Sequence, residues 1–240
     1  MILTSLLLSS FVLAQDTQLD TSRPHRSFRF SYSAAVPEVP ASAKQVRLWI
    51  PVPLETPDQT ITNLVFKVGS SGAENTSTGN KPADLKDGTT TVLKWTYHDL
   101  AGGFGRSVCV ETAGKPIQIE LAFDVTRYET KGGGQATPAE LNELKQPDNM
   151  IPLDGKVAAV AASLKVPSDP RAAARSLYDH TLERMKYDKP EGQPWGRGDA
   201  EWACDARFGN CTDFHSYFMG LARTKGLAAR FEMGFPIPGG

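Results

Sequence analysis

Gly209-Asn210-Cys211-Thr212-Asp213-Phe214-His215 sets a cysteine directly after a Gly-Asn turn and at the head of an apolar repeat. Cys211, Phe214, Tyr217, Phe218, Leu221 and Ala222 recur at three- and four-residue spacing, which gathers them on one face of a helix. Asn210 is an acceptable cap, Asp213 falls in the first turn where a carboxylate satisfies orphan N–H groups, and Lys225-Gly226 supplies the stop. Those orphan groups act as about half a positive charge and favour an anion. A cysteine placed there is a candidate thiolate, the nucleophile that covalent catalysis requires. Without that position it would read as a small buried hydrophobe. Past Gly226, the alternation of Ala229, Phe231, Met233 and Phe235 predicts a buried strand.

Working toward the N-terminus, residues 155–164 predict a short Ala-rich helix. Ser168-Asp169-Pro170 caps a longer one running to Lys186, with Ala173, Leu177, Leu182 and Met185 inward. Lys131-Gly132-Gly133-Gly134-Gln135 is a flexible joint by composition, so a domain boundary is expected near it. Before it the pattern is all strand. Phe28, Phe30 and Tyr32 alternate, as do Val46, Leu48, Ile50 and Val52, and then Ile117, Ile119, Leu121, Phe123 and Val125. Weaker candidates lie at 64–68, 90–97 and 107–111, separated by turn-rich polar segments such as 70–80 and 101–103. Short antiparallel strands in this number predict a β-sandwich. The prolines of Trp49-Ile50-Pro51-Val52-Pro53 confine that strand to a sheet edge.

The segment 209–215, followed by Gly226-Leu227-Ala228-Ala229-Arg230-Phe231, resembles the nucleophile helix and next strand of transglutaminase-like proteins. Gly234-Phe235-Pro236, Asn149-Met150-Ile151-Pro152 and Gly198-Asp199-Ala200-Glu201-Trp202-Ala203 resemble members of the same superfamily. The resemblance is strong over residues 149–240 and weak before them. It implies a papain-like cysteine site with Cys211 as nucleophile, a general-base His on a strand after the nucleophile helix, and an orienting Asp on the strand after that. Neither is found between Phe235 and Gly240. Both partners are therefore expected after Gly240, with this polypeptide carrying the nucleophile half of the site and inactive by itself. Oxyanion stabilisation needs two donors. The Cys211 N–H is one, and the resemblance makes Trp202, Trp195 or Gln193 candidates for the second, each also readable as a packing or loop residue.

The rest of the chain narrows the function class. At 240 residues, 40% hydrophobic, 22% charged and formal net charge -1, it has the composition of a globular protein and no basic excess for nucleic acid. Residues 1–15 form an uncharged apolar run, too short to span a bilayer and suited to a signal peptide, with Val12 and Ala14 before the cut. Export to the periplasm or outside the cell, with no stable membrane insertion after cleavage, is the expectation. Of three cysteines, Cys211 is expected to be free, while Cys109 and Cys204 are either bridged or buried. His215, one turn after Cys211, is readable as base, as metal ligand with Cys211 and Cys204, or as a structural residue under the helix; the structural reading is preferred. The C-x6-C-x3-H spacing is unusual for zinc and lacks a fourth partner, so no metal or other cofactor is expected. The tripeptide Arg197-Gly198-Asp199 and the sequon-like Asn75-Thr76-Ser77 and Asn210-Cys211-Thr212 read as accidental.

The resulting expectation is an α+β chain: signal peptide 1–15, antiparallel β-sandwich 26–130, linker 131–150, and the N-terminal half of a transglutaminase-like (papain-like) α+β domain over 151–240. Its chemistry is acyl transfer or hydrolysis on a protein or peptide substrate through a Cys211 thioester. The alternative is a binding or structural protein with a degenerate transglutaminase-like domain.

Overall fold

A computed structural model describes residues 21–70, 73–78, 92–99, 106–130 and 136–235. The expected signal peptide and the joint at 131–135 lie outside these residues. The chain separates into two compact units, Met1–Gly133 and Gly134–Gly240.

The first unit is built from antiparallel strands. β1 (His25–Val36), β7 (Ile117–Tyr128), β3 (Gln59–Ser70) and β4 (Ala73–Thr78) form one sheet in that order. β2 (Val46–Val52), β6 (Arg106–Thr112) and β5 (Val92–Asp99) form the other. Alternate residues of β2, β3, β6 and β7 share one apolar core, including Ile50, Phe66, Val108, Val110, Ile119 and Leu121. Two sheets closing over one core make the β-sandwich that the period-two pattern predicts. β2 lies at a sheet edge, as its prolines require. The polar stretch 70–80, expected as turn, instead supplies β4, which pairs with β3 from Val65↔Thr78 to Ser70↔Ala73. Its composition hides it because cross-strand pairing, rather than apolar alternation, forms it.

The second unit is mainly helical: α1 (Pro138–Glu143), α2 (Lys156–Ser163), α3 (Pro170–Arg184), α4 (Ala200–Ala206) and α5 (Cys211–Thr224). The chain as a whole is thus α+β. Helix α5 packs against α2, α3 and α4, and the core there is Val157, Ala161, Leu177, Ala200, Ala203, Tyr217 and Leu221. α3 begins as its cap predicts, with the Asp169 side chain accepting from Ala172 N–H and Pro170 in the first turn. Leu182, expected inward, is 49% exposed. Ala173, Leu177 and Thr181 define the buried stripe, and Leu182, one residue past Thr181, is rotated about 100° off it. Thr181 takes the inward place because its hydroxyl donates to the Leu177 carbonyl, so its burial leaves no polar group unpaired.

Two further connections fix the ends of the helices around α5. Glu201 of α4 caps α2, accepting from the N–H groups of Lys156 at 2.7 Å and Val157 at 3.0 Å. A two-residue parallel ladder, β8 (Lys186–Tyr187) with β9 (Phe208–Gly209), ties the end of α3 to the residues just before Cys211. The strand expected over 229–235 does not form. Among the described residues no strand lies beside it; the Ala229 N–H donates instead to the Leu144 carbonyl at 3.2 Å, and the Ala229 carbonyl accepts from Arg223 at 3.0 Å. Ala229 and Phe231 still pack on the core as half-buried residues, whereas Met233 and Phe235 are exposed.

Candidate active site

Cys211 occupies the first position of α5 and its side chain is exposed, while Cys109 and Cys204 are buried free thiols. The turn that delivers it is held by a capping box. The Asn210 carboxamide accepts from Thr212 N–H at 2.9 Å, and the Asp213 Oδ2 accepts from Asn210 N–H at 2.9 Å. Asp213 does more than close this box. It is fully buried, and the same Oδ2 accepts from Gly196 N–H at 2.7 Å, so one carboxylate joins the helix start to the loop 188–199. Its other oxygen, Oδ1, is buried with no hydrogen-bond partner among the described residues. Room for the carboxylate exists because residue 209 has no side chain: a Cβ on Gly209 would lie 2.3 Å from Asp213 Oδ2.

His215 is exposed rather than beneath the helix, because its ring is drawn outward to two neighbours. Its Nδ1 is 2.6 Å from the Cys211 carbonyl oxygen, and its ring lies against Phe231 with centroids 4.7 Å apart. A carbonyl only accepts, so Nδ1 carries the proton and the Nε2 of a neutral ring is left with the lone pair. Trp195 donates its indole N–H to the Pro190 carbonyl at 2.9 Å. Trp202, in the first turn of α4, packs edge-on against Phe208 with centroids 5.4 Å apart. Gln193 is exposed in the same loop as Trp195. The fold therefore brings the Trp195–Gly196 loop to the N-terminus of α5, through Asp213. No group of three or more His, Cys, Asp and Glu arranged for a metal occurs among the described residues.

On the buried face of α5, Tyr217 is fully buried and its hydroxyl lies 3.2 Å from His180 Nε2 on α3. Burial pushes the Tyr217 phenol up to about 12 and holds the His180 imidazole below its ordinary value, with the Arg184 charge adding to the latter effect. The phenol therefore keeps its proton and faces a neutral imidazole, the direction of the hydrogen bond being set by the imidazole tautomer.

This cysteine-headed, capped helix falls within residues 158–238, which match the family profile of the transglutaminase-like superfamily. Over those residues the chain is similar to the transglutaminase-like superfamily. The fold is also similar, over 84% of this chain, to the crystal structure of a candidate cysteine protease from Cytophaga hutchinsonii, with a TM-score of 0.55 and 13% sequence identity. The chain spans 64% of that structure's length, and at this identity the likeness is one of fold. No curated protein gives a significant match.

Two features of this site leave little trace in the sequence. One is the long-range half of the Asp213 interaction, since a first-turn acid reads as a local cap and nothing in its spacing points to Gly196. The other is the loop itself. Gly196 and Gly198, either side of Arg197, were the available signal that a backbone approaches closely there.

Proposed function

We propose that this chain belongs to a cysteine acyl transferase or hydrolase in which Cys211 attacks a glutamine side-chain amide or a peptide carbonyl. The S–C bond forms as the carbonyl becomes a tetrahedral oxyanion. Collapse of that oxyanion breaks the C–N bond, the departing nitrogen takes up a proton, and a thioester remains for water or an amine to attack. The observation that carries the reading is the exposed Cys211 thiol at the first position of a capped, 14-residue helix inside the transglutaminase-like match. Helix N-termini carry orphan N–H groups that favour an anion, and the position of Cys211 at the start of α5 supports reading its N–H as one oxyanion donor. For the second donor, Trp195 would have to release the Pro190 carbonyl, an exchange that Trp202 and Gln193 do not need. The family resemblance assigns proton transfer to an imidazole and its orienting carboxylate on strands that follow the nucleophile helix. Secretion or a periplasmic location and a protein or peptide substrate belong to the same proposal.

Alkylation tests it. Iodoacetamide at neutral pH should modify Cys211 several-fold faster in the folded chain than in the urea-unfolded chain, where the helix terminus no longer exists. Equal or slower modification in the folded chain would remove the basis for a nucleophile at this position.

A further inference from the structure

Arg197 stands out among the cations near Cys211. It is exposed and, among the described residues, enters no hydrogen bond or ion pair. Several neighbouring charges are engaged: Lys186 pairs with Asp188 at 3.0 Å, Lys189 lies over the rings of Tyr187 and Trp195, and Asp199 caps α4. The backbone that carries Arg197 is nevertheless held firmly. Gly196 and Gly198 have φ of 84° and 70°, conformations that other residues rarely adopt, and the Gly196 N–H is bonded to the buried Asp213. A Cβ on Gly196 would lie 3.0 Å from Asn210 Nδ2, and one on Gly198 would lie 3.0 Å from Thr212 Cγ2. Asn210 and Thr212 are the residues on either side of Cys211. The chain thus spends two glycines and a buried carboxylate to lay the backbone on both sides of an unpaired arginine against the turn that bears the thiol.

An arginine is permanently charged, and its planar fork matches a carboxylate in two parallel hydrogen bonds. We propose that Arg197 is a specificity determinant of the Cys211 site, binding a substrate carboxylate next to the carbonyl that Cys211 attacks. The inference rests on reading Cys211 as the nucleophile. It makes peptides with an acidic group beside the reacting amide the preferred substrate class. Arg197 then acts on recognition and orientation, and the chemical step itself remains with Cys211.

The test uses two alkylating probes that differ in charge. Iodoacetate carries a carboxylate beside its reactive carbon and iodoacetamide is neutral; in both, the Cys211 thiolate displaces iodide. Rates at Cys211 in the intact chain are read by mass spectrometry of its peptide at pH 7 and low ionic strength, for the natural sequence, Arg197→Gln and Arg197→Lys. The ratio of the two rates cancels any change in thiolate supply, which is common to both probes. Arg197→Gln should lower the iodoacetate-to-iodoacetamide ratio about threefold, the factor for one unit charge about 6 Å away in water. Arg197→Lys should keep most of the ratio, and the difference should vanish at about 1 M salt, where the screening length is about 3 Å. An unchanged ratio in Arg197→Gln overturns the inference. Slow reaction of Cys211 with both probes would instead count against the nucleophile reading, and the ratio would still be measured, so the two failures are distinguishable.

Discussion

At the scale of single residues, the arrangement around Cys211 depends on the fully buried carboxylate of Asp213. Asp213 satisfies two backbone donors from segments 17 and three residues away, and it fits only because Gly209 lacks a side chain. Asp213→Ala leaves the N–H groups of Gly196 and Asn210 without their acceptor and is expected to cost about 3 kcal/mol. Gly209→Ala should act in the same direction by displacing the carboxylate. Urea unfolding midpoints check both, and a loss below about 0.5 kcal/mol in each would contradict the bridging role, since that is the ordinary range for surface changes. The local half of this interaction was legible in the sequence, because Asn210 and Asp213 have capping-box spacing. The distant half was not, because a hydrogen bond from a loop N–H leaves no periodic trace.

Among the elements, α5 is the one around which the second unit is organised, and its face toward α3 carries a titratable contact. The Tyr217 hydroxyl lies 3.2 Å from His180 Nε2, and burial keeps the His180 imidazole below its ordinary value of 6.5. The unfolded chain therefore binds this proton before the folded one does. Stability is unaffected by His180 at high pH, falls as pH drops through about 6.5, and levels off below the folded-state value. His180→Gln is expected to flatten the fall in unfolding midpoint between pH 7 and pH 5. An equally steep fall in that variant would show that other groups produce it. Helix boundaries in this unit follow from their caps: Asp169-Pro170 opens α3, and Asn210 opens α5. Orientation was less legible. Leu182 is apolar yet exposed, and Thr181 is polar yet buried, because helix phase decides which residue faces inward. The segment 229–235 has strand alternation and no strand, since periodicity states a preference that only a pairing partner converts into a ladder.

Over the whole molecule, two cores were legible from a change of period, two in the strands before residue 130 and near 3.6 in the helices after it. The edge position of β2 followed from its prolines, whereas β4 depends on pairing with β3 and has no apolar signature. The same division distributes the three cysteines: Cys109 sits in β6 of the first unit, Cys204 in α4 and Cys211 at the head of α5 of the second. Only the last is exposed. The account requires that this thiol alone accept an acyl group, and a p-nitrophenyl ester tests that most directly, because p-nitrophenolate departs without needing a proton. With the intact chain the account predicts a burst of about one p-nitrophenolate per molecule and an acyl mass on the Cys211 peptide. Both should be lost in Cys211→Ala and retained in Cys109→Ser and Cys204→Ser. A burst that survives Cys211→Ala, or an acyl group found on Cys109 or Cys204 instead, would contradict it.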